Sequence, residues 1–103
     1  MSNAANIGIA GMRAAEMRVS VRAQNIVNWR SEGYQPLVPV QTAEGKGPVV
    51  RVTRPAELTG DFPYVDLAAE IVDMQLAKHA YKASAKVLRT ADEMSKTLLD
   101  TFA

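Results

Sequence analysis

The hydrophobic and polar positions divide the chain into two helical stretches and a short extended one. The clearest period lies near the C-terminus. Val65, Ala69, Val72, Leu76, Ala80, Ala83, Val87, Thr90, Met94 and Leu98 recur in steps of three and four. That spacing places small and apolar groups on one face of a helix. From Asp66 to Leu99 the stretch holds neither Pro nor Gly, so the pattern predicts one helix about 50 Å long at 1.5 Å per residue.

A second helical pattern runs from about Ala4 to Asn28. Its stripe is Ile7, Ala10, Ala14, Met17 and Val21, continuing toward Asn25 and Asn28, close to a heptad. Ile9, Met12, Val19 and Ile26 form another stripe, and a helix apolar on two faces usually has more than one neighbour. Gly8 and Gly11 lower helix propensity by about 1 kcal/mol each, so they predict either fraying or close approach of a packed neighbour. Asn28 through Gly33 supplies residue types that end helices, and Pro36 and Pro39 then force extended backbone.

Between the helices, Leu37–Thr42 and Pro48–Arg54 read as two strands joined by Ala43-Glu44-Gly45-Lys46-Gly47, a β-hairpin. Pro36, Pro39 and Pro48 restrict both to edge positions. Residues 55–63 read as a linker, with Asp61 or Asp66 as candidate N-cap of the long helix and Glu70 well placed in its first turns.

The expected fold is therefore mainly α with a small β-hairpin. The N-terminal and long C-terminal helices pair as an antiparallel coiled-coil-like hairpin through their stripes, with the β-hairpin near one end. The units are 1–34, 35–63 and 64–103, forming one structural whole. The candidate helix-seam or interface residues are Ile7, Ala14, Met17, Val21, Val72, Leu76, Ala83, Val87, Met94 and Leu98. The second helix is longer than the first, so part of its apolar face is expected to stay uncovered and to complete a core with other subunits, making the protein an oligomer.

Composition narrows the function. The 103 residues suit one domain, and a net charge of +1 offers no case for nucleic acid as partner. Arg13, Arg18, Arg22 and Arg30 form a basic side on the first helix, but Glu16 and the overall balance favour an interface or solvated face. With no cysteine there is no disulfide and no thiolate chemistry. Arg13, Glu16, Arg18 and Arg22 interrupt any apolar signal-peptide core, and no run is long enough for membrane insertion. His79 is the sole histidine and makes no metal site by itself. Asp92 and Glu93 sit among Lys82, Lys86, Arg89 and Lys96, where helical ion pairs explain them. No nucleophile–base pair or phosphate loop appears. No enzyme activity and no cofactor are expected. Asn25 and Asn28 have two readings, as helix-end residues or as polar contacts to neighbouring subunits at a buried seam. Trp29 and Tyr34 read as packing anchors.

Asn25-Ile26-Val27-Asn28-Trp29-Arg30-Ser31-Glu32-Gly33-Tyr34 resembles the Asn-Ile-Ala-Asn-x-x-Thr-x-Gly-Tyr signature of bacterial flagellar rod and hook proteins. The signature residues are Asn25, Ile26, Asn28, Gly33 and Tyr34. Gly8 to Ala14 resembles the run that precedes it in that family. Residues 64–70, 80–94 and 97–99 are similar to the C-terminal helix of the flagellar basal-body rod proteins, FlgC-like among them. His79 stands where the family usually has Arg, Ser84 where it often has Asn, and the middle region is shortened. The resemblance implies a structural subunit or assembly component of the rod. Its partners would be itself, other rod and hook–basal-body proteins, and the flagellar type III export apparatus, without a cleaved signal peptide. The alternative is a non-enzymatic helical adaptor or regulator of flagellar export and assembly that stays outside the rod.

Overall fold

The structure, a computed structural model, describes residues 3–54 and 65–102. It consists of helix α1 (Asn3–Val27), strands β1 (Val38–Glu44) and β2 (Gly47–Thr53), and helix α2 (Leu67–Phe102). The helices pack on each other and the antiparallel β-hairpin lies between them in sequence, as the periodicities predict. The expected linker, 55–63, and with it Asp61 as a candidate cap, lies outside the described residues. Asp66 is the N-cap of α2. Its Oδ1 accepts from the Ala69 backbone N–H at 3.2 Å, satisfying one of the donors a helix start leaves unpaired.

The two helices run antiparallel. Gly8 of α1 lies against Ser84 and Leu88 of α2, while Arg22, further along α1, reaches Glu70 near the start of α2. A Cβ at Gly8 would stand 3.2 Å from the Ser84 carbonyl oxygen, and one at Gly11 would overlap Ser84 Oγ. The two glycines thus permit close approach, and neither frays the helix. On α2 the face turned to α1 runs Glu70, Ala77, Ser84 and Ala91 in steps of seven, with Met74, Tyr81 and Leu88 beside them. Glu70, Ala77 and Ala91 are buried and the others half-buried.

The helices pair through different residues from those the stripes predict. Ala10, Ala14 and Met17 of α1 border Pro48, Val49 and Val50 of β2. Ile7 and Ala10 meet Gly47. The first stripe of α1 therefore packs on the hairpin. On α2 the predicted seam residues Val72, Leu76, Ala83, Val87, Met94 and Leu98 are all exposed. The physical reason is side-chain size. Apolar periodicity picks out the bulkiest residues, whereas two helix backbones approach most closely where Gly, Ala and Ser alternate.

The hairpin touches α1 and not α2. Its base is tied to Asn25 through Leu37, and its tip, Gly47, reaches Ile7 and Ala10. Seven strand residues at about 3.3 Å each span about 23 Å, which matches the α1 length from Asn25 back to Ala10. The hairpin thus lies along α1, where a place near one end was expected. Its turn is also tighter than expected. Glu44 pairs with Gly47, leaving Gly45-Lys46 as the loop. Gly47 has φ +120°, a region disfavoured for other residues, and a Cβ there would come within 2.8 Å of Ala10 Cβ.

The result is hairpin, α1 and α2 side by side, measuring 65 × 23 × 14 Å. Its radius of gyration is 17.9 Å, against about 13 Å for a compact domain of this length. Its accessible surface of 7548 Å² exceeds the roughly 5,700 Å² expected of a compact monomer of this mass. Beyond Ala91 every described residue of α2 is exposed.

Candidate functional site

Two regions carry the residues singled out from sequence: the turn after α1 and the uncovered side of α2.

The turn contains the whole Asn25–Tyr34 signature. Asn25 is fully buried, and its amide is used within the chain. Its Nδ2 donates to Leu37 O at 2.8 Å, while its Oδ1 accepts from the Leu37 N–H at 3.0 Å and the Tyr34 hydroxyl at 2.7 Å. Asn28 ends the helix: its Nδ2 donates to Gln24 O at 2.9 Å and its Oδ1 accepts from Ser31 Oγ at 3.1 Å. The Ser31 N–H donates to Asn28 O at 2.9 Å and the Tyr34 N–H to Ser31 O at 3.2 Å. Gly33 supplies the positive φ of +76° that turns the chain back. Ile26 is half-buried beside them. Both asparagine side chains thus serve the chain's own turn, which favours the helix-end reading over contacts to neighbouring subunits. Trp29 stacks under Arg30, whose guanidinium carbon lies 4.6 Å from the ring centroid.

Tyr34 also sits near Glu70 and Arg54. Burial pushes its phenol above its ordinary pKa, the Arg54 charge pulls it down, and the Glu70 charge adds to the rise. Glu70 is the buried acid of α2. Arg22 Nη1 lies 3.2 and 3.1 Å from its two carboxylate oxygens, and Nη2 lies 3.0 Å from Asp73 Oδ2. Apolar periodicity passes over this cluster, because all three residues are charged.

The uncovered side of α2 is the predicted stripe. Val72 is 57% exposed, Leu76 53%, Met94 63% and Leu98 57%, with Val87 and Ala83 exposed between them. Leu99 and Phe102 extend the apolar surface past the end of α1. In contrast, Ala14 and Val21 are buried, and Ile7 and Met17 are each partly covered beside the hairpin. Monomeric soluble proteins seldom expose contiguous apolar patches larger than a few hundred Å². A groove runs along the stripe between Ala4 and Val87, Ala91 and Met94. His79 is exposed on the same helix. Among the described residues no group of three His, Cys, Asp or Glu is placed to hold a metal ion, and no helix is long and apolar enough to cross a membrane.

The chain is thus a helix pair with a long uncovered apolar face on α2. Residues 64–101, α2 with the three residues before it, match the family model described as flagellar basal body rod FlgEFG protein C-terminal. This segment is therefore similar to the C-terminal part of flagellar basal-body rod proteins. The match names FlgE, FlgF and FlgG, so a FlgC-like assignment is not part of it, and the Asn25–Tyr34 signature lies outside the matched residues. No curated protein matches the chain.

Proposed function

We propose that this chain is a non-enzymatic structural subunit or assembly component of the flagellar basal-body rod, and that it works by packing the uncovered face of α2 against other rod proteins and other copies of itself. One observation carries the reading: the segment that matches the rod family is the same helix whose apolar stripe its own chain leaves bare. A helix that exposes Val72, Leu76, Val87, Met94 and Leu98 to solvent is stabilised once neighbours bury them, by about 25 cal/mol per Å². In this reading the protein works in the periplasm-spanning basal body and reaches it through the flagellar type III export apparatus. A FlgC-like position within the rod accords with the resemblance of residues 80–94.

Purified basal bodies analysed by mass spectrometry test this. The chain is expected among the rod proteins, and Leu76→Asp with Met94→Asp is expected to abolish both its incorporation and motility. Both residues are exposed, so the double variant keeps the helical circular dichroism of the wild type. A protein that remains in the cytoplasm while motility persists overturns the rod reading and installs the adaptor in its place.

A further inference from the structure

The N-terminal end of α1 lies opposite Ala91, and α2 continues to Phe102 with no covering neighbour among the described residues. The overhang 92–102 carries part of the apolar stripe and a particular set of charges. Seam positions of a coiled coil recur every seven residues in two series. On the bare side of α2 these are Ala80, Val87, Met94 and Thr101 in one series, and Leu76, Ala83, Thr90 and Thr97 in the other. The flanking positions on the side away from α1 are His79, Lys86, Glu93 and Asp100. Basic residues therefore flank the half that α1 supports, and acidic residues flank the overhang.

We infer that the free protein pairs through this stripe with a second copy in antiparallel orientation, the overhang of each lying on the supported half of the other. Centring the pair between Leu88 and Arg89 sets Val87 of one copy opposite Thr90 of the other, Ala83 opposite Met94, Ala80 opposite Thr97, and Leu76 opposite Thr101. The same register brings Lys86 of each copy against Glu93 of the other, and His79 against Asp100. Two observations select a second copy as the occupant. The charges are self-complementary only when the helix is reversed. In a parallel, in-register pair His79, Lys86 and Glu93 would instead meet Ser84, Ala91 and Leu98, which offer no counter-charge. The lengths are also compatible: α1 covers α2 up to Ala91, so in this register the N-terminal ends of the two α1 helices pass one another only over positions 86–91, and each overhang, 92–102, lies on 75–85 of the other copy. The paired span, 75–102, is about 42 Å long at the helical rise. This dimer is a property of the free chain and goes beyond the rod reading. It buries Leu76, Ala83, Val87 and Met94 of the stripe that rod neighbours would otherwise need, so dimerisation through this face competes with incorporation.

Light scattering on size-exclusion peaks over low to high micromolar concentration tests the dimer. The mass should rise from 11.2 kDa toward twice that value. Glu93→Lys and Lys86→Glu alone should each weaken dimerisation roughly tenfold, since two symmetric pairs change from attraction to repulsion. Combined in one chain they should restore it. The chain has no cysteine of its own, so Glu93→Cys mixed with Lys86→Cys should oxidise to the mixed disulfide in preference to either homodimer. A wild type that stays monomeric overturns the dimer, whether or not it enters basal bodies. A dimer indifferent to the charge swap, or a Glu93→Cys variant that cross-links to itself as readily as to Lys86→Cys, overturns the antiparallel register. The rod reading fails separately, through absence from basal bodies.

Discussion

Arg22 Nη1 lies 3.2 and 3.1 Å from the two carboxylate oxygens of Glu70, and this bifurcated ion pair ties α1 to the first turn of α2. Both side chains are mostly buried, so neither charge has full water solvation if its partner is lost. Breaking such a pair by removing one partner costs about 3 kcal/mol, because the remaining charge stays buried and uncompensated. Asp73, 3.0 Å from the same guanidinium, remains as a partial substitute when Glu70 is changed. Glu70→Gln is therefore expected to lower stability by up to about that amount in urea denaturation. The double replacement Arg22→Met with Glu70→Leu is expected to cost far less than either single change, since well-packed apolar pairs often equal buried ion pairs. A Glu70→Gln cost under about 0.5 kcal/mol would show that the pair is solvated and merely adjacent.

Gly11 presents a conflict between local and tertiary preference. Alanine at an exposed helix interior stabilises by about 1 kcal/mol over glycine. At Gly11 the added Cβ overlaps Ser84 Oγ and also stands 3.1 Å from Ser84 Cβ. Gly11→Ala is expected to destabilise by about 1–3 kcal/mol, as overpacking does. Ser84→Gly in the same chain should recover most of the loss by clearing both atoms. Thermal unfolding by circular dichroism reads both effects. A stabilised Gly11→Ala would mean that the helices can separate there without penalty.

How much of the molecule is legible in its sequence follows from which physical signal each element carries. Both helices and the hairpin come from period, proline and glycine, and those signals are local. The α1–α2 seam is not local in that sense. Ala77, Ser84 and Ala91 score weakly on any apolar scale, yet they set the distance between the helices, and Gly8 and Gly11 gain meaning only against Ser84. Glu70 reads as a favourable first-turn acid, and its burial against Arg22 emerges only with the partner helix in place. The stripe at Val72, Leu76, Val87, Met94 and Leu98 is legible as apolar. Only the structure distinguishes a seam within the chain from a bare face. Asn25 shows the reverse case: its motif is plain, while its role in holding Leu37 and Tyr34 depends on where the returning strand falls.

The hairpin's position along α1 depends on Gly47. At φ +120° a side chain strains the backbone, and a Cβ would come within 2.8 Å of Ala10 Cβ. Gly47→Ala is expected to cost about 1–3 kcal/mol and to act on the hairpin before the helices. Amide hydrogen exchange would then show lost protection at Val49 and Val50 with α2 unchanged. Ala10→Gly relieves only the steric part, so a full rescue by it would contradict the backbone contribution.

Tyr34 links the turn to pH. Its hydroxyl donates to Asn25 Oδ1 at 2.7 Å, and that oxygen already accepts from the Leu37 N–H. A phenolate cannot donate, and it would face an acceptor instead. Burial raises its pKa above the ordinary value of 10.0, Arg54 opposes the rise, and the Glu70 charge adds to it. A group whose folded pKa is raised contributes stability that is fully present below the unfolded value and is lost as pH rises through the folded one. Stability is therefore expected to hold up to about pH 10, the unfolded phenol value, and to fall above it. Tyr34→Phe should lower neutral-pH stability by about 1 kcal/mol, the net value of one hydrogen bond, and should flatten that alkaline fall. Ultraviolet titration of the tyrosinates, compared with Tyr34→Phe, isolates this one phenol from Tyr64 and Tyr81. An alkaline fall of equal depth in Tyr34→Phe would place its origin in another group.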